Sequence, residues 1–262
     1  MYHIKNKKVH VMEEIKIINP KMNIMSYNIH KGFSRFKKLS IFEIKNQIIK
    51  WDPDIVFLQE VQGKNNKWED LHSVWPKEGL HDFFAKDPWS HVAYGANALY
   101  KHGHHGNAIL SKFPILSYEN YNVSTSKLEQ RGILHAIIDW NNISNVHLFC
   151  VHLSLSGKGR KWQLNVLAEL VKNLPDNAPV IIAGDFNDWF NHAKKKLVKE
   201  TGLNEVLKEY LKNTRSFPSE YPVLSLDRIY TKGFEITSGE IGKSCGKISD
   251  HAPVTASLVL KK

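Results

Sequence analysis

Three polar side chains follow one another closely at the end of an apolar run. The stretch Pro179–Trp189, PVIIAGDFNDW, carries Asp185, Asn187 and Asp188 directly after its apolar half. Successive side chains of a strand alternate between its two faces, so the spacing of two predicts that Asp185 and Asn187 point the same way. An acid and an amide that converge can bind a water molecule and a phosphate oxygen. Asp188 is expected to cap the helix that follows.

Similar polar residues lie at the ends of other apolar runs. They are Asn28 and His30, Glu60, His152, Asp227, and Asp250 with His251. Taken alone, an Asp or Asn after a strand is usually a turn residue, and a histidine in an apolar strand usually belongs to the core. Recurrence at several strand ends favours a shared site, provided that those ends meet at one rim. Such a rim would hold a hard cation and a proton-transfer group.

This set of residues suits the hydrolysis of a phosphodiester, which is an anion and repels hydroxide. A Mg²⁺ ion held by Glu60 and Asn28, with Mn²⁺ as an alternative, would neutralise that charge and stabilise the leaving oxygen. On the opposite face Asp185 and His251 are expected to handle an attacking water. Asp227 would fix the tautomer of the imidazole and stabilise its protonated form.

Asn187 and His152 would donate to the non-bridging oxygens as negative charge develops. The sequence shows no carboxylate partner for His152. In KHGHHGN, three histidines (His102, His104 and His105) are a set that could bind zinc, although we favour a flexible lip over the site. The run SGKGRK either binds phosphate at the start of the next helix or is a solvated basic turn. The chain has no P-loop, HExxH or GxSxG motif.

Hydrophobic periodicity divides the chain into many strands and a few helices. The predicted strands are Met22–His30, Asp54–Val61, His105–Pro114, Arg131–Trp140, Val146–Leu155, Pro179–Asn187, Leu226–Thr231, Phe234–Ile241 and Ala252–Leu260. The predicted helices are Leu39–Trp51, Arg160–Leu174 and His192–Thr201, with Gly202 after the last. Helices are too few for a doubly wound parallel sheet, so two packed sheets with outer helices are favoured. We expect one domain over residues 22–262, preceded by a loose tail over residues 1–21.

The composition points to an anionic partner and a reducing compartment. The 262 residues carry a formal net charge of +10, which favours nucleic acid or an anionic membrane surface, unless it reflects general residue usage. Two cysteines, Cys150 in an apolar run and Cys245 in a glycine-rich one, suggest neither a disulfide framework nor a zinc site. No apolar stretch suits a signal peptide or a membrane span. We therefore expect a cytoplasmic monomer.

Seven short blocks of the sequence resemble those of a known superfamily. SYNIHKG, DIVFLQEV, GNAILSKFP, CVHLS, IIAGDFND, SLDRIY and SDHAPV are similar, in order, to the signature blocks of the endonuclease/exonuclease/phosphatase superfamily. Its members include deoxyribonuclease I, AP endonucleases, neutral sphingomyelinases and inositol polyphosphate 5-phosphatases. The resemblance implies a four-layered α/β/β/α sandwich, of class α+β, and Mg²⁺-dependent cleavage of phosphate esters.

The resemblance also implies a role for each residue that matches a block. It makes Glu60 the main metal ligand, with Asn28 beside it and Asp250 at the metal end of the site. It implies that Asp185 orients or activates the attacking water and that Asn187 holds a phosphate oxygen. It implies that His152 contacts the phosphoryl group. It pairs Asp227 with His251. Two further phosphate contacts are Arg131, a looser match, and His30, which stands where AP endonucleases have an acid.

The substrate is the least determined part of the expectation. A phospholipid head group and a nucleic acid both fit the positive charge, and the aromatics of Val74–Tyr94 would either dip into an anionic membrane or pack over a sheet edge. Only two short cationic loops flank the rim, which favours a substrate with a small footprint. The alternatives are a deoxyribonuclease I-like or AP-type endonuclease and a non-catalytic phosphate-binding module. The presence of all the polar residues named above favours an enzyme.

Overall fold

The protein is described from a computed structural model, which covers residues 20–242 and 247–261. Its strands are β1 (Lys21–Asn28), β2 (Ile55–Asn65), β3 (His91–Tyr100), β4 (Gly103–Ser111), β5 (Ile115–Asn122), β6 (Gly132–Trp140), β7 (Ser144–His152), β8 (Val180–Asp185), β9 (Asn204–Glu205), β10 (Asp227–Lys232), β11 (Phe234–Ile241) and β12 (Val254–Leu260). One six-stranded sheet has the order β11-β12-β1-β2-β4-β3. The other has the order β5-β6-β7-β8-β10-β9.

Most of the helices pack on the outer faces of the two sheets. They are α1 (Ile41–Trp51), α2 (Asn66–Leu71), α3 (Leu80–Phe84), α4 (Gly157–Lys172), α5 (His192–Thr201) and α6 (Val206–Tyr210). Helices α1 and α3 share an apolar cluster with the first sheet, and α4 and α5 share one with the second. A third cluster fills the space between the sheets and includes the buried residues of α6. The expected four-layered α/β/β/α sandwich is therefore confirmed.

Most predicted elements are present within two to four residues of their predicted ends. Strands β3, β5 and β9 were not predicted, and each lies at an edge of its sheet. The short helices α2, α3 and α6 were not predicted either. Edge strands expose one side, so their apolar pattern is weak; four consecutive residues of β5, Leu116–Glu119, are exposed. Gly202 ends α5 in the left-handed conformation, as its position predicted.

The aromatic stretch Val74–Tyr94 packs into the protein and does not form a membrane-dipping loop. Trp75, Phe84 and Trp89 are buried against the first sheet, and the Trp89 indole N–H donates to the carbonyl of Pro53 at 2.9 Å. The alternative that these aromatics pack on the sheet is thus confirmed. In the described part of the chain no helix has the length and apolar character needed to cross a bilayer.

Cys150 is buried between the sheets, as expected, and Cys245 lies outside the described residues. Burial raises the pKa of the Cys150 thiol to about 12. The expected tail over residues 1–21 also lies outside the described residues, apart from Pro20 and Lys21, and Lys21 already begins β1.

Candidate active site

Strand pairing alone brings three of the candidate residues into one row. β7 and β8 are parallel, with His152 opposite Asp185, and β8 and β10 are antiparallel, with Asp185 opposite Asp227. In the other sheet β1 runs parallel to β2, with Asn28 opposite Gln59. The ends of these strands therefore meet at one edge of the sandwich, as the sequence predicted.

One carboxylate oxygen of Asp185 is the centre of this edge. Asp185 Oδ2 accepts from the Asn28 amide at 3.1 Å and lies 3.4 Å from His152 Nε2 and 3.6 Å from His251 Nε2. His152 thus has the carboxylate partner that the sequence did not reveal. Burial raises the pKa of Asp185 to about 6, although the charge of His251 opposes the shift. Burial and nearby cationic groups, first Arg131, hold the pKa of His152 well below its usual range.

The expected Asp227–His251 pair forms. His251 Nδ1 lies 2.8 Å from Asp227 Oδ2, and the hydroxyl of Ser216 donates to the same oxygen at 2.5 Å. Burial alone would lower the pKa of His251, but the carboxylates of Asp227 and Asp185 outweigh it and raise that pKa to about 10. The imidazole therefore carries a proton at neutral pH, held between two carboxylates.

A sharp turn after β8 gives the side chains of Asn187 and Asp188 different hydrogen-bond partners. Asn187 adopts a left-handed conformation (φ 46°), which asparagine tolerates better than most residues, and its backbone N–H donates to Asp185 Oδ1 at 2.9 Å. Its side-chain amide donates to the carbonyl of Leu153 at 2.9 Å, which leaves its second hydrogen for a ligand. Asp188 accepts from the backbone N–H of Ala193 at 2.7 Å, in the first turn of α5. The predicted capping role of Asp188 is confirmed.

Glu60 lies on a bulge of β2 and has an unfavourable, left-handed backbone conformation. The register of β2 against β4 shifts between Leu58 and Val61, and Glu60 has a φ of 56°. The left-handed region is unfavourable for a residue with a Cβ and is found most often at functional sites. Its carboxylate is half-buried and lies 3.9 Å from Lys31 Nζ. The bulge therefore re-aims Glu60 towards the end of β1.

The remaining expected metal ligand, Asp250, has an unpaired oxygen. Among the described residues Asp250 Oδ1 is buried without a hydrogen-bond partner, and His30 Nδ1 is 3.9 Å away. The Ser249 hydroxyl donates to the carbonyl of Asn28 at 2.7 Å and so ties this loop to β1. A buried carboxylate oxygen without a partner among the described residues suits a hard, oxygen-seeking cation such as Mg²⁺. His30 itself bonds the carbonyl of Phe33 through Nδ1 at 3.1 Å.

A second candidate cation site overlaps the proton-handling group. Within the described ranges Asp185, Asp227 and His251 offer ligand atoms that all lie within 4.8 Å of one another. Asp227 Oδ1, like Asp250 Oδ1, is a buried oxygen without a hydrogen-bond partner among the described residues. A cation at this group would displace the proton shared by His251 and Asp227, so Glu60, Asn28 and Asp250 are the alternative set that could hold a metal.

Two side chains lie at the mouth of the site: Lys31, which the sequence did not single out, and His105, which it placed in a flexible lip over the site. Together with Arg131 and Leu155 they help to line a cavity of about 450 Å³. Burial and the positive charge of Lys31 lower the pKa of His105 to about 4, so it is neutral. Arg131 donates through Nε to the carbonyl of Leu153 at 3.3 Å. The mouth thus carries two cations, each beside a carboxylate: Lys31 is 3.9 Å from Glu60, and Arg131 is 3.3 Å from Glu129.

The three histidines of KHGHHGN do not converge. His104 and His105 are successive residues of β4 and so point to opposite faces; His104 Nδ1 lies 2.9 Å from the Tyr94 hydroxyl. His102 is exposed in the preceding turn. The expectation of a flexible lip is therefore wrong for His104 and His105, and the alternative of a three-histidine zinc site does not fit.

A model of the endonuclease/exonuclease/phosphatase family matches residues 25–251. The chain belongs to this family. It is 41% identical over 243 residues to the uncharacterized protein YbhP of Escherichia coli K12, covering 90% of this chain and 96% of that protein. The residues matched by the family model include Asn28, Glu60, His152, Asp185, Asp227 and His251.

Solved structures with low sequence identity share the fold. An endonuclease/exonuclease/phosphatase from Beutenbergia cavernae superimposes with a TM-score of 0.78 at 18% identity, over 92% of this chain and 72% of that one. TDP2 of D. rerio, complexed with a single strand DNA product, gives a TM-score of 0.66 at 19% identity, over 91% and 98% of the two chains. At these identities the likeness supports the α/β/β/α sandwich and selects no substrate.

Proposed function

We propose that this protein is a divalent-metal-dependent phosphodiesterase. The observation that carries the proposal is the convergence on Asp185 Oδ2 of Asn28, His152 and His251, beside Glu60 and the unpaired oxygen of Asp250. Family membership supports phosphate-ester hydrolysis.

The metal-binding residues in this proposal are Glu60, Asn28 and Asp250. A Mg²⁺ or Mn²⁺ ion bound there would neutralise the phosphate and stabilise the leaving oxygen. Lys31 lies 3.9 Å from the Glu60 carboxylate and keeps this acid paired when no cation is present.

Asp185 is the residue proposed to take a proton from the attacking water. Its carboxylate is buried, and a pKa of about 6 leaves it ionised but basic at neutral pH. The water oxygen bonds to phosphorus as its proton passes to Asp185 Oδ2. The ester P–O bond breaks, and the alcohol oxygen leaves with the bonding electron pair and takes up a proton from solvent water. His251, kept protonated by Asp227, stabilises the negative charge that develops on the phosphoryl oxygens.

The remaining groups bind the phosphate. Asn187 has an amide hydrogen to spare, and neutral His152 can donate from one ring nitrogen. Arg131 and His30 are the two further expected phosphate contacts. Arg131 Nη2 pairs with Glu129 Oε1 at 3.3 Å, so a phosphate oxygen bound by this guanidinium would share it with that carboxylate.

We propose a substrate with a small footprint, either a phospholipid head group or a nucleic acid. The cavity beside Arg131 is about 450 Å³, the size of a head group or one nucleotide. A deoxyribonuclease I-like or AP-type endonuclease is the alternative, favoured by the single-strand DNA product bound to the similar TDP2 structure. A non-catalytic phosphate-binding module is a second alternative, which the complete set of polar groups opposes. The free, buried thiol of Cys150 is in line with a cytoplasmic enzyme, which we expect to be a monomer.

The experiment that tests the proposal is hydrolysis of bis-p-nitrophenyl phosphate with Mg²⁺ or Mn²⁺, and then with excess chelator. We expect turnover with metal and none without it. A panel of anionic phospholipids, single strands, RNA and supercoiled plasmid, each at several salt concentrations, then identifies the substrate. Plasmid nicking with a steep salt dependence and no lipid turnover would favour the endonuclease alternative. Binding of phosphate esters without turnover of any of them would favour the non-catalytic module.

A further inference from the structure

Two strands that carry catalytic candidates continue directly into exposed apolar side chains. Leu155 follows His152 by three residues, and Trp189 and Phe190 come straight after the turn of Asn187. These side chains are 59%, 49% and 69% exposed, and Trp162 on α4 is 44% exposed. We call Leu155, Trp162, Trp189 and Phe190 the apolar tips.

Buried Arg160 holds two of the segments that carry the tips. Its Nη1 atom donates to the carbonyls of Ser154 and Leu155 at 3.0 and 2.7 Å. Its guanidinium carbon lies 5.9 Å from the centre of the Trp189 ring. The tips are therefore exposed on a braced surface and are not the ends of loose loops.

Positive charge surrounds the apolar tips. A cavity of about 460 Å³ between α4 and α5 is lined by Arg160, Lys161, His192, Lys195, Lys196 and the acid Glu200. Lys158 lines a second depression together with Trp162. Lys158, Lys161 and Lys195 are exposed. Apolar side chains interspersed with lysines are the composition of surfaces that lie at an anionic lipid interface.

We infer that the apolar tips and their surrounding lysines dock the protein onto an anionic phospholipid bilayer. Tryptophan and phenylalanine partition into the head-group region, while lysine ammonium groups reach the lipid phosphates. Leu155 favours this occupant over a single-stranded nucleic acid, because an aliphatic side chain inserts among acyl chains but offers no ring for base stacking.

Docking would also bring the site to its substrate. Leu155 lines the cavity that Lys31, His105 and Arg131 share, so a bilayer against the apolar tips lies at the mouth of that cavity. This step rests on the proposed function and narrows its substrate to a lipid phosphodiester. The docking itself does not depend on turnover.

The test is co-sedimentation with vesicles of phosphatidylcholine containing 30 mol% phosphatidylglycerol, in excess chelator so that no hydrolysis is needed. We expect binding to these vesicles and not to pure phosphatidylcholine. Trp189→Ala/Phe190→Ala, and separately Lys158→Glu/Lys161→Glu, should each lower partitioning about tenfold or more. Leu116→Ala/Tyr118→Ala is the matched apolar control, since both side chains are 55% exposed on β5, towards the strand end that pairs with Ile138 and away from Gly132. Lys50→Glu, on α1 across the sandwich, is the charge control.

Two results would overturn the inference. One is an absence of binding to anionic vesicles, or equal losses in the control variants. The other is binding of a single-stranded oligonucleotide that depends on Trp189 and Phe190, which would make the surface a stacking platform. Turnover of bis-p-nitrophenyl phosphate by the tip variants should match that of the parent protein. Failure of docking with that turnover intact would leave the proposed function standing, and docking without any turnover would contradict only the proposed function.

Discussion

Asp185 illustrates how burial prepares a single residue for catalysis. A buried carboxylate with a raised pKa is a stronger base than an exposed one, but its ionised form destabilises the fold. We expect Asp185→Asn to lower turnover by roughly 10²–10⁴-fold, while the melting temperature stays equal or rises because a desolvated charge has been removed. Steady-state kinetics and thermal unfolding test the two halves. A large fall in melting temperature would show that Asp185 is mainly structural.

The Asp227–His251 pair gives a graded prediction. His251→Ala removes the charge that stabilises the phosphoryl oxygens, so turnover should fall by roughly 10²–10⁴-fold. Asp227→Asn keeps the ring and should cost less, because the imidazole then loses one of the two anions that raise its pKa. The folded-state pKa of His251, followed by NMR, should therefore fall in Asp227→Asn. Ser216→Ala, which removes only the second partner of Asp227, is the milder control. An unchanged pKa in Asp227→Asn would refute the electrostatic role of Asp227.

Most candidate site residues could be identified from the sequence, but their contacts with one another could not. Strand ends carry their polar residues visibly, so Glu60, His152 and Asp185 could be singled out without coordinates. The contact between His152 and Asp185 depends on the parallel register of β7 and β8, which periodicity does not specify. Lys31 was missed because it does not end an apolar run. His105, expected in a flexible lip over the site, lies instead within β4.

At the scale of elements, the bulge in β2 links backbone strain to metal binding. A left-handed φ costs a residue with a Cβ about 1 kcal/mol or more relative to glycine. We expect Glu60→Gly to be more stable than Glu60→Ala by about 1 kcal/mol, with both variants inactive and both unable to bind Mg²⁺ in a calorimetric titration. Urea unfolding measures the stability difference. Equal stabilities would mean that the bulge relaxes, and retained Mg²⁺ binding would move the metal to the group formed by Asp185, Asp227 and His251.

Central strands were predictable, whereas of the four edge strands that the described residues form only β11 was predicted. β7 and β8 are buried on both faces, and their apolar runs were visible at once. β3 and β5 pair on one side only, and exposure weakens their apolar pattern, while β11 begins with a clear alternation of apolar and polar residues. The aromatics near β3 illustrate the ambiguity: Trp75 and Trp89 are compatible with a lipid-facing loop in sequence, and only their packing on the first sheet decides against it.

For the whole molecule, the sandwich followed from counting strands against helices, but the proposed lipid-binding surface did not. The apolar tips come from two loops and from α4, and Arg160 links the two loops by contacts that the sequence does not reveal. The net charge of +10 predicted only that the partner is negatively charged. Charge is a property of the whole chain, whereas the identity of a substrate depends on where a few side chains meet.

Several half-buried or buried histidines make the stability of the whole molecule sensitive to acid. On the outer face of the second sheet His135 Nε2 lies 3.0 Å from His147 Nδ1, and the His135 ring stacks on Phe149. Burial, and then the neighbouring His147, lowers the pKa of His135 to about 4. His135 therefore takes up a proton near pH 6.5 in the unfolded chain but only near pH 4 in the folded protein. Its contribution to the free energy of unfolding is fully present above the pKa of the unfolded chain and is lost as the pH falls through that window.

We expect the free energy of unfolding to fall less in His135→Gln than in the parent protein when the pH is lowered from 7 to 5. Glutamine does not titrate, and its amide can still donate to His147, so the variant removes the proton uptake while keeping a hydrogen bond. Urea unfolding at the two pH values gives the difference, and His102→Gln, at an exposed histidine, is the matched control. Because His81, His105 and His152 also have lowered pKa values, acid should still destabilise the variant, only less steeply. An identical loss in His135→Gln and in the parent protein would mean that the His135–His147 pair opens before it titrates.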